Sequence, residues 1–383
     1  MSTNYDVIII GLGAMGSTSA YQLAKRGQKV LGLEQFGPAH DKGSSHGGSR
    51  IIRQSYFEDP AYVPLLLRAY ELWDEIGRES GEEVLTVTGG LMMGPPDSVT
   101  VSGSIKSAKK WDLEYELLNP DDIRRRFPLF NPSPNTMALY EEKAGFVRPE
   151  LSVYTHLLQA EKHGADLRFF ESVQSWEAHP SGEGVRVFTN NGTYEAGKII
   201  ISAGSWAPQL LEDIGLNLQV ERQIQMFFEP IGGIEPFRIG KQPIYILEAD
   251  DYEQLYGFPS FGIGAEGVKV AFFRKGKPCT PETIDRIVHE HEVEMMREYL
   301  AQVLPELNGR FLQGKTCMYT NTPDEHFVIS AHPDHPQVTI AAGFSGHGFK
   351  FASVVGEILA DLATTGKTKH QIDLFSPKRF VYK

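Results

Sequence analysis

Asp6-Val7-Ile8-Ile9-Ile10-Gly11-Leu12-Gly13-Ala14-Met15-Gly16 decides the fold class of this chain. Val7 to Ile10 is a β-branched apolar run, short enough for a buried strand. Glycines follow at once, and Ser17 to Arg26 has a helical pattern that Gly27 stops. Lys29 to Leu33 predicts a second strand, closed by Glu34. This is a complete strand–turn–helix–strand dinucleotide unit. Gly11 permits the tight turn, Gly13 lets a pyrophosphate approach the backbone, and Gly16 lets helix and strand pack closely. The helix N-terminus offers N–H groups and a partial positive charge to phosphates. Glu34 can accept hydrogen bonds from ribose hydroxyls, and its charge disfavours a 2′-phosphate and hence NADP. The unit alone leaves NAD and FAD both open.

The rest of the chain extends this reading. Lys198 to Gly204 and Val338 to Gly343 are two further apolar strands ending in glycine. Three such strands, at the start, middle and end, predict one discontinuous nucleotide domain with a second domain built from the segments between. Residues 222–276 have strand-like patterning with aromatic and glycine-rich turns, and 280–303 predicts a helix. His289-Glu290-His291-Glu292 on that helix lacks the spacing of a metal box and is read as a solvated charged face. Pro60 to Gly77 predicts a helix burying Val63, Leu66, Leu67, Tyr70 and Trp73. Lys42 to Arg53, rich in glycine and serine, predicts a loop near the carboxyl end of the parallel sheet, with His46, Arg50 and Arg53 projecting from it.

Bulk composition narrows the function classes. The 383 residues are 41% hydrophobic and 22% charged, an ordinary globular balance with room for two cores. A net charge of −12 argues against nucleic acid or anionic membrane as a partner. No apolar run approaches membrane-spanning length, and the N-terminus lacks the basic and apolar regions of a signal peptide, so a cytoplasmic location is expected. Cys279 and Cys317 are too few for a disulfide framework or a four-cysteine zinc site, and no metal is expected.

Three separated motifs carry a resemblance. They are Gly43-Ser44-Ser45-His46-Gly47-Gly48-Ser49-Arg50-Ile51-Ile52-Arg53, then Thr316-Cys317-Met318-Tyr319-Thr320 with Pro323-Asp324-Glu325-His326-Phe327, and Gly343-Phe344-Ser345-Gly346-His347-Gly348-Phe349-Lys350-Phe351. With the N-terminal unit, the chain resembles the monomeric sarcosine oxidase and N-methyltryptophan oxidase family of flavoprotein amine oxidases, over nearly its whole length. The resemblance implies an α/β fold: a discontinuous Rossmann-type FAD-binding domain (1–85, 145–220 and 318–383) plus a substrate domain (86–144 and 221–317) with a large mixed β-sheet and flanking helices. It implies FAD attached covalently at its 8α-methyl to Cys317, and an oxygen-activating lysine at Lys269. It implies a substrate carboxylate bound by Arg53 and Lys350, with Arg50 and His46 near the flavin ring and Tyr256 and Tyr319 around the substrate. Gly11, Gly13, Gly16, Glu34, Val173, Gly343, Gly346, His347, Gly348 and Lys350 fall on cofactor-binding positions. The implied reaction transfers a hydride equivalent from a secondary amino acid to flavin N5, and O₂ is then reduced to H₂O₂. The imine hydrolyses to an aldehyde and a primary amino acid. A monomer is implied, with the amino acid and O₂ as its partners.

Two departures bear on the substrate. Sarcosine oxidases usually read Ser-His-His-Gly-Asp-Thr-Arg where this chain has Ser44-Ser45-His46-Gly47-Gly48-Ser49-Arg50. They carry a histidine four residues after the lysine, where this chain has Phe273. Phenylalanine cannot hydrogen-bond a small polar substrate, so a bulkier or more apolar amino acid is expected. The alternatives are a pipecolate, glycine or fructosyl-amino-acid oxidase, and further away an NAD-dependent dehydrogenase.

Overall fold

The computed structural model describes residues 4–179, 183–251, 253–262 and 267–380. The opening unit folds as β1 (Asn4–Ile10), α1 (Ala14–Lys25) and β2 (Val30–Leu33). Each side chain from Val7 to Ile10 is buried, because both faces of β1 are covered. Val7 and Ile9 pack in one apolar cluster with α1 and the helices Val63–Ser80 and Ala352–Thr365. Ile8 and Ile10 face the other layer, against Val185, Val187 and Leu211. Burial of this kind is worth roughly 1.5–3 kcal/mol per aliphatic side chain.

The predicted gathering of three glycine-terminated strands is observed. β1 pairs in parallel with Thr193–Ile201 on one side and with β2 on the other. Thr193–Ile201 pairs in parallel with Val338–Ala342. These strands belong to an eight-stranded sheet. Their carboxyl ends therefore lie side by side, where a parallel sheet forms its ligand crevice. A second sheet of nine strands is mixed. Its strand Ile244–Glu248 pairs in parallel with Gly90–Gly94, while Gln219–Phe228 pairs antiparallel with both Val268–Phe272 and Phe311–Asn321.

Three local expectations need correction. The helix expected over 280–303 begins only at Glu290, with His289 as its N-cap, and runs to Val303. Glu292 is not solvated. It is buried, accepts the His289 N–H at 2.9 Å and forms a paired contact with Arg222 Nη1 at 2.6 Å. Arg222 is itself buried on a strand, so it needs this counter-charge. The helix expected over 60–77 starts as a 3-10 turn, Pro60–Tyr62, and continues as Val63–Ser80; Val63, Leu66 and Trp73 are buried as expected, but Leu67 is exposed and Tyr70 half-buried, while Leu65, Ala69, Leu72 and Ile76 are buried as well. Among the described residues no helix is long and apolar enough to cross a membrane.

Candidate active site

The carboxyl ends of β1, Thr193–Ile201 and Val338–Ala342 open into a cleft of about 410 Å³. That is within the size range of small-molecule sites. Gly11, Gly13, Glu34, Val173, Gly343, Gly346 and Gly348 all line it. Gly16 lies behind the wall: a Cβ there would sit 1.8 Å from the Gly11 carbonyl oxygen, so only glycine lets α1 approach β1 this closely. The N-cap residue of α1, Gly13, has no side chain to close the helix end, the first turn holds no acid, and Ser45 Oγ takes the Ala14 N–H. A helix start of this kind, without a carboxylate, suits phosphates. Glu34 Oε2 accepts the Leu12 N–H at 2.9 Å and Oε1 accepts the Phe36 N–H at 3.0 Å. These bonds hold the buried carboxylate at the cleft wall, in the ribose-binding position of the motif.

The loop Lys42–Arg53 is fastened from several sides. Ser45 Oγ accepts the Ala14 N–H at 3.2 Å, and Ser44 Oγ donates to the Met318 carbonyl at 2.6 Å. Gly47 and Gly48 adopt φ of +100° and +83°, a region that other residues enter at a cost. This turns their N–H groups toward the Glu150 carboxylate, which also accepts from Gly48 at 3.1 Å. Lys269 grips the same loop from the other side. Its Nζ donates to the carbonyls of Gly47 (2.9 Å) and Ser49 (2.8 Å) and approaches Ser49 Oγ at 3.3 Å. Burial, with Arg50 nearby, pushes the Lys269 amine well below its usual range. Arg50 follows the loop, donating to the carbonyls of Ser49 and Ser44.

Four buried polar atoms in and beside this loop have no hydrogen-bond partner among the described residues: both ring nitrogens of His46 and both amide atoms of Gln225. Unmatched polar atoms in a core cost roughly 1–3 kcal/mol each. Neither side chain lines the cleft, so the fit to a dinucleotide rests on the glycines and on Glu34 around it. Burial holds His46 neutral, lowering it to about 4.

Next to the cleft is a smaller chamber of about 60 Å³. Arg50, Tyr319, Gly346 and Phe349 line both spaces. Arg53, Tyr256, Phe273, His347 and Lys350 complete the chamber together with Phe57 and Glu58. Lys350 Nζ donates to the His347 carbonyl at 2.9 Å. Burial, and then the charge of Arg53, lowers its amine to about 7. Arg53 is sandwiched between the rings of Tyr56 and Phe57, 4.3 and 4.1 Å from their centroids. It pairs with Glu58 at 2.7 Å. Burial works to raise the Glu58 carboxyl, but Arg53, His347 and Lys350 outweigh it and bring the group to about 2.

The structure thus gathers the expected residues into two connected spaces, with qualifications. His347 was expected to contact the cofactor, but it lines the chamber and bonds Tyr56 Oη at 2.6 Å and the Glu325 carbonyl at 2.9 Å. His46, Lys269 and Cys317 are buried and line neither space. Cys317 lies on Phe311–Asn321, whose next residues Met318, Tyr319 and Thr320 line the cleft. Glu58, Glu150, Gln225 and Arg274 went unread in the sequence. Each is a single polar residue outside any periodic pattern, and only its partners give it meaning. Asp213, His332 and His335 bring ligand-type atoms within 4.8 Å of one another. His332 Nδ1 accepts the Asp334 N–H, which leaves the proton on Nε2 facing Asp213 at 2.9 Å.

A nucleotide crevice at the end of a parallel sheet, beside a chamber lined by Arg50, Arg53 and Lys350 that suits a small acid, defines an oxidoreductase of the dinucleotide-dependent class. Residues 6–362 match the FAD dependent oxidoreductase family. The chain is 59% identical over 380 residues to a monomeric sarcosine oxidase of Streptomyces avermitilis, covering 99% of this chain and 98% of the relative. It is 34% identical over 382 residues to an N-methyl-L-tryptophan oxidase of Salmonella enteritidis, covering 98% and 99%. Its fold superposes on L-proline dehydrogenase from P. horikoshii with a TM-score of 0.84 and 26% identity, covering 99% and 98%. The chain belongs to the monomeric sarcosine oxidase and N-methyltryptophan oxidase family of FAD-dependent amine oxidases.

Proposed function

We propose that this enzyme, acting as a monomer, oxidises N-methyl or other secondary amino acids. The observation that carries the reading is the convergence of Arg53 and Lys350 on a chamber that shares walls with the cofactor cleft. Two cations meeting one carboxylate orient a small amino acid and place its amine toward the shared wall. The substrate must take the place of Glu58 on Arg53, or share the guanidinium with it. Its carboxylate would also favour the charged form of Lys350, which burial disfavours. Arg50, Arg53 and Lys350 together disfavour a cationic substrate, so the amine binds in the neutral form that can be oxidised. Tyr256, Phe273 and Tyr319 supply apolar walls that limit water.

FAD would be held by the glycines of the opening unit, by Glu34 and by the Gly343–Gly348 segment. When bound it supplies two-electron oxidation of the amine carbon and passes the electrons to O₂. Water then hydrolyses the imine to an aldehyde and a primary amino acid. A panel of N-methyl amino acids tests this, with peroxide and aldehyde measured together. Equal amounts of both are expected from at least one substrate, and no peroxide from any secondary amine would sink the proposal.

Cys317 is proposed as the covalent attachment point. It supports this role as a buried thiol on the strand whose following residues line the cleft. Acid precipitation of the holoenzyme should leave the yellow colour in the pellet, and Cys317→Ser should release it to the supernatant. Flavin freed by acid from the unaltered enzyme would overturn the linkage.

A further inference from the structure

Arg274 is a cation near the chamber that the reading above leaves without a task. It follows Phe273, just past the end of Val268–Phe272. Its guanidinium lies over the Phe273 ring, 4.4 Å from the centroid, and that ring lines the chamber. Stacking of this kind holds the flat donor fork in one orientation. Nη1 pairs with Glu325 Oε2 at 2.6 Å. Nε and Nη2 are buried and have no hydrogen-bond partner among the described residues. Buried guanidinium donors left unmatched are unfavourable, and an anion is the ligand that satisfies them best.

The charges around the chamber are unequal. Arg50, Arg53 and Lys350 line it, Arg274 adjoins it across the Phe273 ring, and Glu58 is the one carboxylate lining the chamber among the described residues. Arg274 acts on this space: its charge helps lower both His347 and Lys350 and helps keep Glu58 ionised. Glu325 is a weak partner by comparison. Its side chain is 52% exposed, so water screens the pair. A substrate with one carboxylate engages Arg53 and Lys350 and leaves the free donors of Arg274 unmatched. A second acidic group on the substrate side chain would meet them, and a volume of about 60 Å³ favours a short one.

We propose that Arg274 is a specificity-determining residue that recognises a second carboxylate, making N-alkylated acidic amino acids the preferred substrates. The inference rests on the assignment of Arg53 and Lys350 to the α-carboxylate. Phe273 then serves mainly as the platform that holds Arg274, in addition to packing against the substrate. Glu325 occupies the guanidinium until the substrate side chain displaces it.

N-methyl-L-aspartate and N-methyl-L-asparagine test this directly, because they have nearly the same shape, carry a short side chain and differ in charge. Peroxide production by the holoenzyme gives kcat/KM for each, with sarcosine as reference. The acidic substrate should be favoured by roughly tenfold or more, mostly through KM, as a charge-assisted hydrogen bond allows. Arg274→Gln should bring the ratio near one, and Arg274→Lys should keep part of it. Glu325→Gln should raise it by releasing the guanidinium. Equal kcat/KM for the two substrates in the unaltered enzyme would overturn the inference without any variant, as would a ratio that Arg274→Gln leaves unchanged. Sarcosine oxidised without any charge preference would sink this inference alone. If no secondary amino acid is oxidised, sarcosine included, the reading beneath it falls too.

Discussion

Arg53→Met is expected to lower kcat/KM by roughly 10²–10³-fold, the effect of truncating one member of a buried charged contact. It should also destabilise the protein by about 3–5 kcal/mol, because Glu58 then lacks its partner. The Arg53 side chain is 1% exposed and that of Glu58 is 8% exposed, so water cannot substitute. The pH dependence gives the sign. With Arg53 present, the Glu58 carboxyl lies at about 2, below its ordinary 4.5. Its contribution to stability is therefore full above about 4.5 and is lost as pH falls through about 2. Without Arg53, burial dominates and the carboxyl rises above 4.5. The unfolded state then releases its proton first, and stability falls as pH rises from about 4.5 through the new value. Thermal melts should show the largest deficit for Arg53→Met near pH 7 and a small one near pH 4. The double variant Arg53→Met, Glu58→Met should regain most of the stability and none of the activity. Unchanged kinetics in Arg53→Met would place the substrate carboxylate elsewhere.

Lys269→Met is expected to slow reoxidation of the reduced enzyme by O₂ roughly 10²–10³-fold, the scale of losing one preorganised charge at a reacting centre. Reduction by substrate should change far less. Stopped-flow absorbance separates the two half-reactions. The structure supplies a competing role, since the Lys269 Nζ is held against the carbonyls of Gly47 and Ser49. A lysine that only braces this loop would, when removed, disturb Arg50 and slow both half-reactions alike. Equal slowing would therefore remove the oxygen-activation role and leave the bracing one.

Residues 6–34 were legible because their structure is local. A strand, a glycine turn and a helix each follow from a few consecutive residues, and the chemistry of the turn depends on backbone atoms that any such sequence exposes. Phe273 was legible as a departure from a family pattern, although its partner Arg274 was not. Helix 63–80 shows where periodicity runs short. Val63, Leu66 and Trp73 of its expected stripe are buried, yet Leu67 is exposed and Leu65 and Ala69 are buried as well, because neighbouring elements decide how much of an amphipathic helix is covered. Glu292 looked like one more charge on a polar face until Arg222, distant in sequence, was placed against it.

The same division runs through the site. The opening sequence by itself determined that a dinucleotide would bind at the end of a parallel sheet, and the separated motifs narrowed it to FAD. Those features rest on glycines and short-range order, which a sequence displays openly. Only the tertiary structure decided that Arg53 is engaged by Glu58, that Lys269 braces the loop before Arg50, and that Arg274 keeps two buried donors unmatched. Charge–charge and hydrogen-bond energies depend on separation and burial, and neither is set until remote segments pack together.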